Sequence, residues 1–541
     1  MKKLTNKILL IVAVCFIPVC VNCQAYFYRV YLKDKGANVT DYNASDLLSE
    51  KAIKRRQKSG ISFPDYKDIP VNKNYIEQIS SAGFELHCTS KWMNTALFMS
   101  NNASGANILA GFPFVSEVRI VKTPEIKRKS GNKLDFERVL ASADDFDSPL
   151  QMLNGNVLHN SGCKGDNILI AVLDGGFINA NRIESLFGLY ERNGIKYAYD
   201  FVENDNFVYE SSSHGTAVLS ILAGSMPGVI AGTAPDADYM LLKTENPAYE
   251  FPCEEDFWAA GAEFADSAGV DIINSSLGYN VFDESTMNYT NSDLDGNTAF
   301  ITRVADIAVS KGIMVFCSAG NERNNSWRKI LVPADGDSVI AVGAVNISKT
   351  ISNFSSEGPS ADNRVKPDFV AMGVTVPVQT YPVETYTSNG TSFSCPVLSG
   401  ITACLMQAVP EATYSDIVSA LKESSDRYQN PDKLYGYGIP DFGKALTTLL
   451  NKRVPVPDED IVAVPNPFTG DFDLIFRQSP GTIEVEIFSI TGKLISKTIY
   501  PDYLGRSLNI DQIQNMGQGI YILKIVTKES KWVKKVIKMG L

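Results

Sequence analysis

Three polar residues stand where this chain could run nucleophilic chemistry. Asp174 directly follows the apolar run "ILIAVL" (168–173) and precedes Gly175–Gly176. His214 opens "HGTAVLSILAG", and Ser392 lies in the turn-rich stretch "SNGTSFSCP" (388–396). A serine hydroxyl is a poor nucleophile at neutral pH and needs an imidazole base. The base in turn needs a carboxylate that holds its tautomer and stabilises the imidazolium. Glycines near all three leave room for a substrate backbone. Each feature alone has a plainer reading: Asp-Gly after a strand is commonly a turn, and Ser, Thr and Asn at a helix start are commonly caps. The histidines narrow the choice. There are three in the chain; His87 lies in a basic N-terminal segment and His159 in a loop-like stretch, which leaves His214 for the middle of the chain.

A scaffold must bring these groups together. Between about 147 and 450, apolar strand-like runs (168–173, 270–274, 313–318, 339–345) alternate with helical stretches (255–267 and 298–310). Continuous apolar strands separated by helices predict a parallel sheet covered on both faces. In such sheets functional groups collect beyond the carboxyl ends of the strands. Asn274–Ser275–Ser276 ends one strand, and Asn321 in "SAGNE" (318–322) ends another. Ser392 precedes an apolar helix expected from about Phe393 to Ala408, and a helix start offers free N–H groups and a positive dipole end.

With these residues in place, the chain resembles the subtilisin-like serine peptidases. "AVLDGG" is similar to the family's aspartate motif, "HGT" to its histidine motif and "NGTSFSCP" to its Gly-Thr-Ser-x-x-x-Pro serine motif. The resemblance implies a triad of Asp174, His214 and Ser392, with Ser392 rather than Thr391 or Ser394 as nucleophile. It implies Asn321 as an oxyanion-hole donor beside the Ser392 N–H. "INSSLG" (273–278) resembles the strand that pairs with substrate, so Ser276, Leu277, Gly278, Ser318, Ala319 and Gly320 are expected to contact it, with apolar walls to the first side-chain pocket. "SNFSSEGP" (352–359) and "VKPDFVA" (365–371) match further signatures. The related sedolisins carry Glu where this chain has His214. Two departures stand out: Ser394–Cys395 replace a small Ala–Ser pair, and Met372 sits where proline is common. The first raises the expectation of sensitivity to thiol reagents.

Flanking segments extend the plan. Lys2, Lys3 and Lys7 precede an apolar run from Ile8 to Val21, the layout of a signal peptide (1–23) and too short to span a bilayer. Residues 24–122 read as a small α/β unit. With the following polar stretch to 135 they hold 17 Lys/Arg against 11 Asp/Glu, inside a chain whose net charge is −11. By position and strand–helix order this unit resembles the family's prosegment, an intramolecular chaperone and inhibitor. A polar linker with the processing site is expected over 123–146, the peptidase domain over 147–450 and a second linker over 451–460. The remainder, 461–541, alternates apolar and polar residues as an all-β sandwich. Its "VPNPFTGDFDLIF", "VEIFSITGKLI" and "GIYILKIV" resemble the C-terminal sorting domain of type IX secretion substrates. The resemblance implies export through the periplasm to the surface or medium, with the type IX machinery as partner.

The acidic balance argues against a nucleic-acid partner. Six cysteines remain after the signal, at spacings that define no disulfide framework, and Cys317, Cys395 and Cys404 sit in apolar runs as buried thiols would. No C-x-x-C or H-x-x-H pair supports zinc. "DLDGN" (293–297) lacks the acidic twelfth residue of a calcium loop, Val304 standing there, and reads as the capped start of the next helix. The chemistry needs no cofactor; the family resemblance implies structural calcium that no residue here locates. The expected product is thus a secreted serine endopeptidase acting on proteins or peptides through an acyl-enzyme and made as a self-processed precursor. The competing expectation is a catalytically silent adhesin on the same scaffold.

Overall fold

The computed structural model describes residues 25–124, 133–140, 148–452, 459–512 and 516–539. The expected signal peptide, most of the first linker and residues 453–458 of the second lie outside the described residues.

Strand β1 (Tyr26–Leu32) opens the N-terminal unit, followed by β2 (Glu85–Ser90), β3 (Thr95–Ser100) and β4 (Val115–Lys122), which form an antiparallel sheet in the order β2-β3-β1-β4. Helices Glu50–Lys58 and Lys73–Ser81 lie between β1 and β2, as the helical spacing predicts. A short β5 (Val139–Leu140) belongs to the linker. The catalytic sheet then comprises β6 (Leu169–Asp174), β7 (Ile195–Asp200), β10 (Asp238–Lys243), β11 (Ile272–Ser275), β12 (Met314–Ser318), β13 (Ile340–Val345) and β14 (Phe369–Met372). The two-residue strands β8 (Ser225–Met226) and β9 (Ile230–Ala231) form a separate pair. The main sheet runs β14-β13-β12-β11-β6-β10-β7 with every neighbour parallel.

Register puts the chemistry at the carboxyl ends of the central strands. Asp174 is opposite Lys243, Ser275 is opposite Leu173, and Cys317, one residue before Ser318, is opposite Ser275. The strand side chains alternate between two apolar cores. Ile170 and Val172 pack with helices His214–Ala223 and Thr391–Ala408, whereas Leu169, Ala171 and Leu173 pack with helices Cys253–Ala268 and Phe300–Ser310. Both faces being covered explains why these strands read as unbroken apolar runs.

The second core does not stop at the catalytic unit. Phe27, Trp92, Leu97, Met99 and Val121 of the N-terminal sheet join it against Phe257 and Trp258. Buried ion pairs cross the same boundary. Arg29 meets Asp256 at 2.6 Å and Glu255 at 3.2 Å, and Arg56 bridges Asp68 and Asp266 at 2.7 Å each. The Glu263 carboxylate accepts from Lys91 N, Trp92 N and Ser90 Oγ, closing the β2–β3 turn onto the helix.

The chain returns through β15 (Val376–Gln379) and β16 (Thr385–Ser388), which pair with each other, β16 also pairing with β5. In the tail, β17 (Ile461–Val464), β18 (Phe472–Phe476) and β21 (Ser507–Ile510) form one sheet. The second holds β19 (Gly481–Ser489), β20 (Leu494–Tyr503), β22 (Gly519–Thr527) and β23 (Lys531–Lys538). The two share one apolar core. Among the described residues, no helix is long and apolar enough to cross a membrane.

Several sequence expectations shift. His159 lies in helix Asn156–Asn160 rather than a loop, its Nε2 3.1 Å from the Thr233 carbonyl. The 298–310 helix begins at Phe300, and Asp295 accepts from Asn297 N and Thr298 N in the turn before it instead of capping it. Cys395 is fully buried and burial pushes its thiol up, so the expected reactivity toward thiol reagents has no accessible thiolate behind it. The six cysteines Cys88, Cys163, Cys253, Cys317, Cys395 and Cys404 are free.

Candidate active site

Asp174 ends β6, and His214 begins the first turn of its helix. His214 Nδ1 lies 3.0 and 2.9 Å from the two carboxylate oxygens of Asp174. Asp174 Oδ1 also accepts from Gly175 N at 2.8 Å, which fixes the carboxylate. The glycines in both motifs are demanded by this approach. A Cβ on Gly176, whose φ is +138°, would stand 2.0 Å from the Glu210 carbonyl, and one on Gly215 would stand 2.6 Å from the Gly176 carbonyl. Burial works against a charged His214, but the Asp174 carboxylate outweighs it and Glu245 adds to it, so the imidazole is held above its ordinary value.

Ser392 is the second residue of helix Thr391–Ala408, so its N–H is one of the first-turn donors without an intrahelical acceptor. Pro396 lies four residues on and cannot donate to the Ser392 carbonyl. Ser276 Oγ takes that acceptor at 2.9 Å, and Ser392 Oγ donates to the Ser276 carbonyl at 3.1 Å. The nucleophile candidate is therefore hydrogen-bonded to the end of β11 rather than to His214, an arrangement common before substrate aligns such groups.

Asn321 is exposed at the carboxyl end of β12. Its Oδ1 accepts from Thr391 N at 2.9 Å and Thr391 Oγ1 at 3.0 Å, which leaves Nδ2 as the amide group facing the cleft. Thr391 also accepts from Gly320 N at 3.2 Å, tying the two strand-end loops together. Its role in orienting Asn321 was not read from the sequence, although its place directly before Ser392 was visible.

His214, Ser392 and Asn321 line one cavity of about 380 Å³, together with Ser276, Leu277, Gly278, Ser318 and Gly320. Ala319 does not join them; it is fully buried in the second core, a correction to its expected substrate contact. Leu331 supplies the apolar wall instead.

The cleft is also lined by the linker. Leu134 packs toward Gly175, and the Phe136 ring lies 5.8 Å from the His214 ring and 5.3 Å from Phe393. The Glu137 carbonyl accepts from Ser388 Oγ at 2.6 Å, Arg138 donates to Ser213 Oγ at 2.9 Å, and Val139–Leu140 pair antiparallel with Thr387–Tyr386. After a turn at Lys133–Leu134 the segment passes His214 and ends in strand addition to β16. Lys133, Phe136, Phe393 and Glu245 at this site were not anticipated from the sequence.

Three comparisons bear on this geometry. The subtilase family model matches residues 165–438, a Bacteroidota peptidase S8 propeptide domain matches 27–135, and a secretion system C-terminal sorting domain matches 463–539. Subtilisin E of Bacillus subtilis is 32% identical over 298 residues, covering 54% of this chain and 68% of its own. Subtilisin DY of Bacillus licheniformis is 29% identical over 294 residues, covering 54% and 94%. Fervidolysin from Fervidobacterium pennivorans, described as a keratinolytic enzyme related to subtilisin, superposes with a TM-score of 0.54 at 17% identity, over 96% of this chain and 77% of that one. At that identity it supports the fold alone. The family match across half the chain and the aligned subtilisins establish that this protein belongs to the subtilase family of serine peptidases, preceded by a propeptide domain and followed by a sorting domain.

Proposed function

We propose that the protein is an exported serine endopeptidase in which Asp174, His214 and Ser392 form the catalytic triad, made as a precursor that cuts itself in the linker. The observation that carries this reading is the pairing of His214 Nδ1 with both Asp174 oxygens in a cleft shared with Ser392. In the first step Ser392 turns from the Ser276 carbonyl to His214 Nε2, loses its proton there and attacks the substrate carbonyl. The developing oxyanion is met by the Ser392 N–H and Asn321 Nδ2. Collapse breaks the C–N bond, and the imidazolium returns the proton to the leaving amine. Water then repeats the sequence on the acyl-enzyme. These steps use only groups of this chain, with the peptide strand laid beside Ser276–Gly278 and an apolar first pocket near Leu277 and Leu331.

The linker residues 133–137 line the same cleft as His214 and Ser392, which supports self-processing within 123–146. The sorting domain supports delivery through the periplasm by the type IX machinery to the surface or medium. A fluorophosphonate probe tests the chemistry: the secreted protein should be labelled at Ser392 and the Ser392→Ala protein should not. Absence of label on active-site-exposed, processed protein would remove the triad assignment.

A further inference from the structure

The cleft carries a second group of charged side chains that take no direct part in peptide-bond cleavage. Glu245 follows β10, Glu250 lies in the loop beyond, and Glu254 stands in the first turn of helix Cys253–Ala268. One carboxylate oxygen from each lies within 4.8 Å of the others. Glu245 and Glu254 are 2% and 0% exposed. Carboxylates gathered away from water are costly unless a cation answers them.

The cation here is Lys133. Its ammonium lies 2.9 Å from Glu245, 2.9 Å from Glu250 and 2.8 Å from Glu254. Glu254 is a fixed wall, since it also accepts from Asn246 N and Phe251 N. Glu245 is less satisfied: its Oε2 is buried with no hydrogen-bond partner among the described residues. Glu245 and Glu250 line the same cavity as His214 and Ser392.

Lys133 belongs to the segment that crosses the active site, three residues before Phe136 on the His214 ring. When that segment leaves, the carboxylates lose their counter-charge and open onto the cleft that Lys133 had filled. We propose that this acidic pocket is a substrate subsite for a lysine or arginine side chain lying two to four residues before the scissile bond. The inference rests on the peptidase reading above and adds a substrate class to it. An ammonium with three N–H donors answers three convergent carboxylates at once, as Lys133 does. The preferred substrate would combine an apolar residue at the cleaved bond with a basic residue upstream.

Peptides carrying lysine, arginine or norleucine at the second, third or fourth position before the bond test this on the purified secreted enzyme. At one of these positions kcat/KM should favour lysine over norleucine by about tenfold or more, the size expected for a desolvated charge pair. Glu245→Gln and Glu254→Gln should each narrow that ratio. Equal rates at all three positions would overturn the subsite while leaving the peptidase reading intact. No lysine preference, together with a calcium-induced rise in Tm that Glu254→Gln abolishes, would assign the pocket to a divalent cation and also overturn it. A protein that cleaves no peptide and takes no fluorophosphonate label would instead remove the peptidase reading, and the subsite with it.

Discussion

His214 carries the most informative charge balance in the site. Burial disfavours its protonation, yet Asp174 and then Glu245 raise its pKa. As a base it works only when neutral, so a raised value moves the acidic limb of the rate profile upward, above the ordinary imidazole range. Glu245→Gln removes one of the raising charges and should shift that limb to lower pH, read from kcat/KM against pH on a norleucine peptide. An unmoved limb would mean that Glu245 does not act on His214. Alanine at Ser392 or His214 should abolish peptidase activity. Asn321→Ala should lower the rate about 10²–10³-fold, the size found on removing one oxyanion donor in subtilisin. A rate within threefold (roughly 0.65 kcal/mol) of the original would show that Nδ2 does not meet the oxyanion.

Helix Cys253–Ala268 joins two units. One side meets the parallel sheet through Trp258, whose Nε1 donates to Ser275 Oγ, while Phe257 and the acidic residues receive the N-terminal unit. Arg56 lies within that contact, wholly buried and bidentate to Asp68 while also bonded to Asp266. Burial works against the Asp68 charge, but Arg56 outweighs it and holds the carboxyl down at about 2. Arg56→Ala would remove the charged hydrogen bonds to both carboxylates while leaving Arg55 beside Asp266 and Lys311 beside Asp68, and should destabilise the precursor by about 1.5–3 kcal/mol. Urea melting of the full-length Ser392→Ala chain, which cannot cut itself in this scheme, measures it. A loss below about 1 kcal/mol would mean that water relieves the pair.

The arrangement of the three units makes two demands on the molecule as a whole. A parallel sheet assembled from distant strands folds slowly unaided, and the N-terminal unit supplies a preformed surface with buried cations for the acidic helix. Its linker then lies in the cleft. Purified precursor should therefore process at a rate independent of protein concentration, while Ser392→Ala remains uncut, both visible as a mass difference on a gel. Maturation of the isolated mutant at the original rate would exclude self-processing. The tail has its own core and touches the catalytic unit at points such as Arg506 to the Asn451 carbonyl. Deleting 461–541 should leave folding and activity largely intact but block export, and a truncated protein found in the medium would count against the sorting role.

Much of this was legible along the chain because it is written in local patterns. The apolar strands announce a sheet buried on both faces. Asp174, His214 and Ser392 each sit in a short motif with glycines beside them, although the backbone that those glycines admit, such as the Glu210 carbonyl against Gly176, comes from far along the chain. The tail's alternation of apolar and polar residues likewise declares a half-buried strand from its own neighbours. Other features depend on contacts between residues far apart in sequence. Lys133 and Glu254 are separated by 121 positions, and neither reads as more than a surface charge until the linker is laid across the cleft. Ala319 and Leu331 both look fit to wall a pocket, and only packing decides that Ala319 faces the core while Leu331 faces the cleft. The hydroxyl of Ser276 finds the carbonyl freed by Pro396 because the helix Thr391–Ala408 begins beside the carboxyl end of β11. Local sequence sets which groups exist and what backbone they need; which of them share a desolvated space follows from how strands and helices close upon one another.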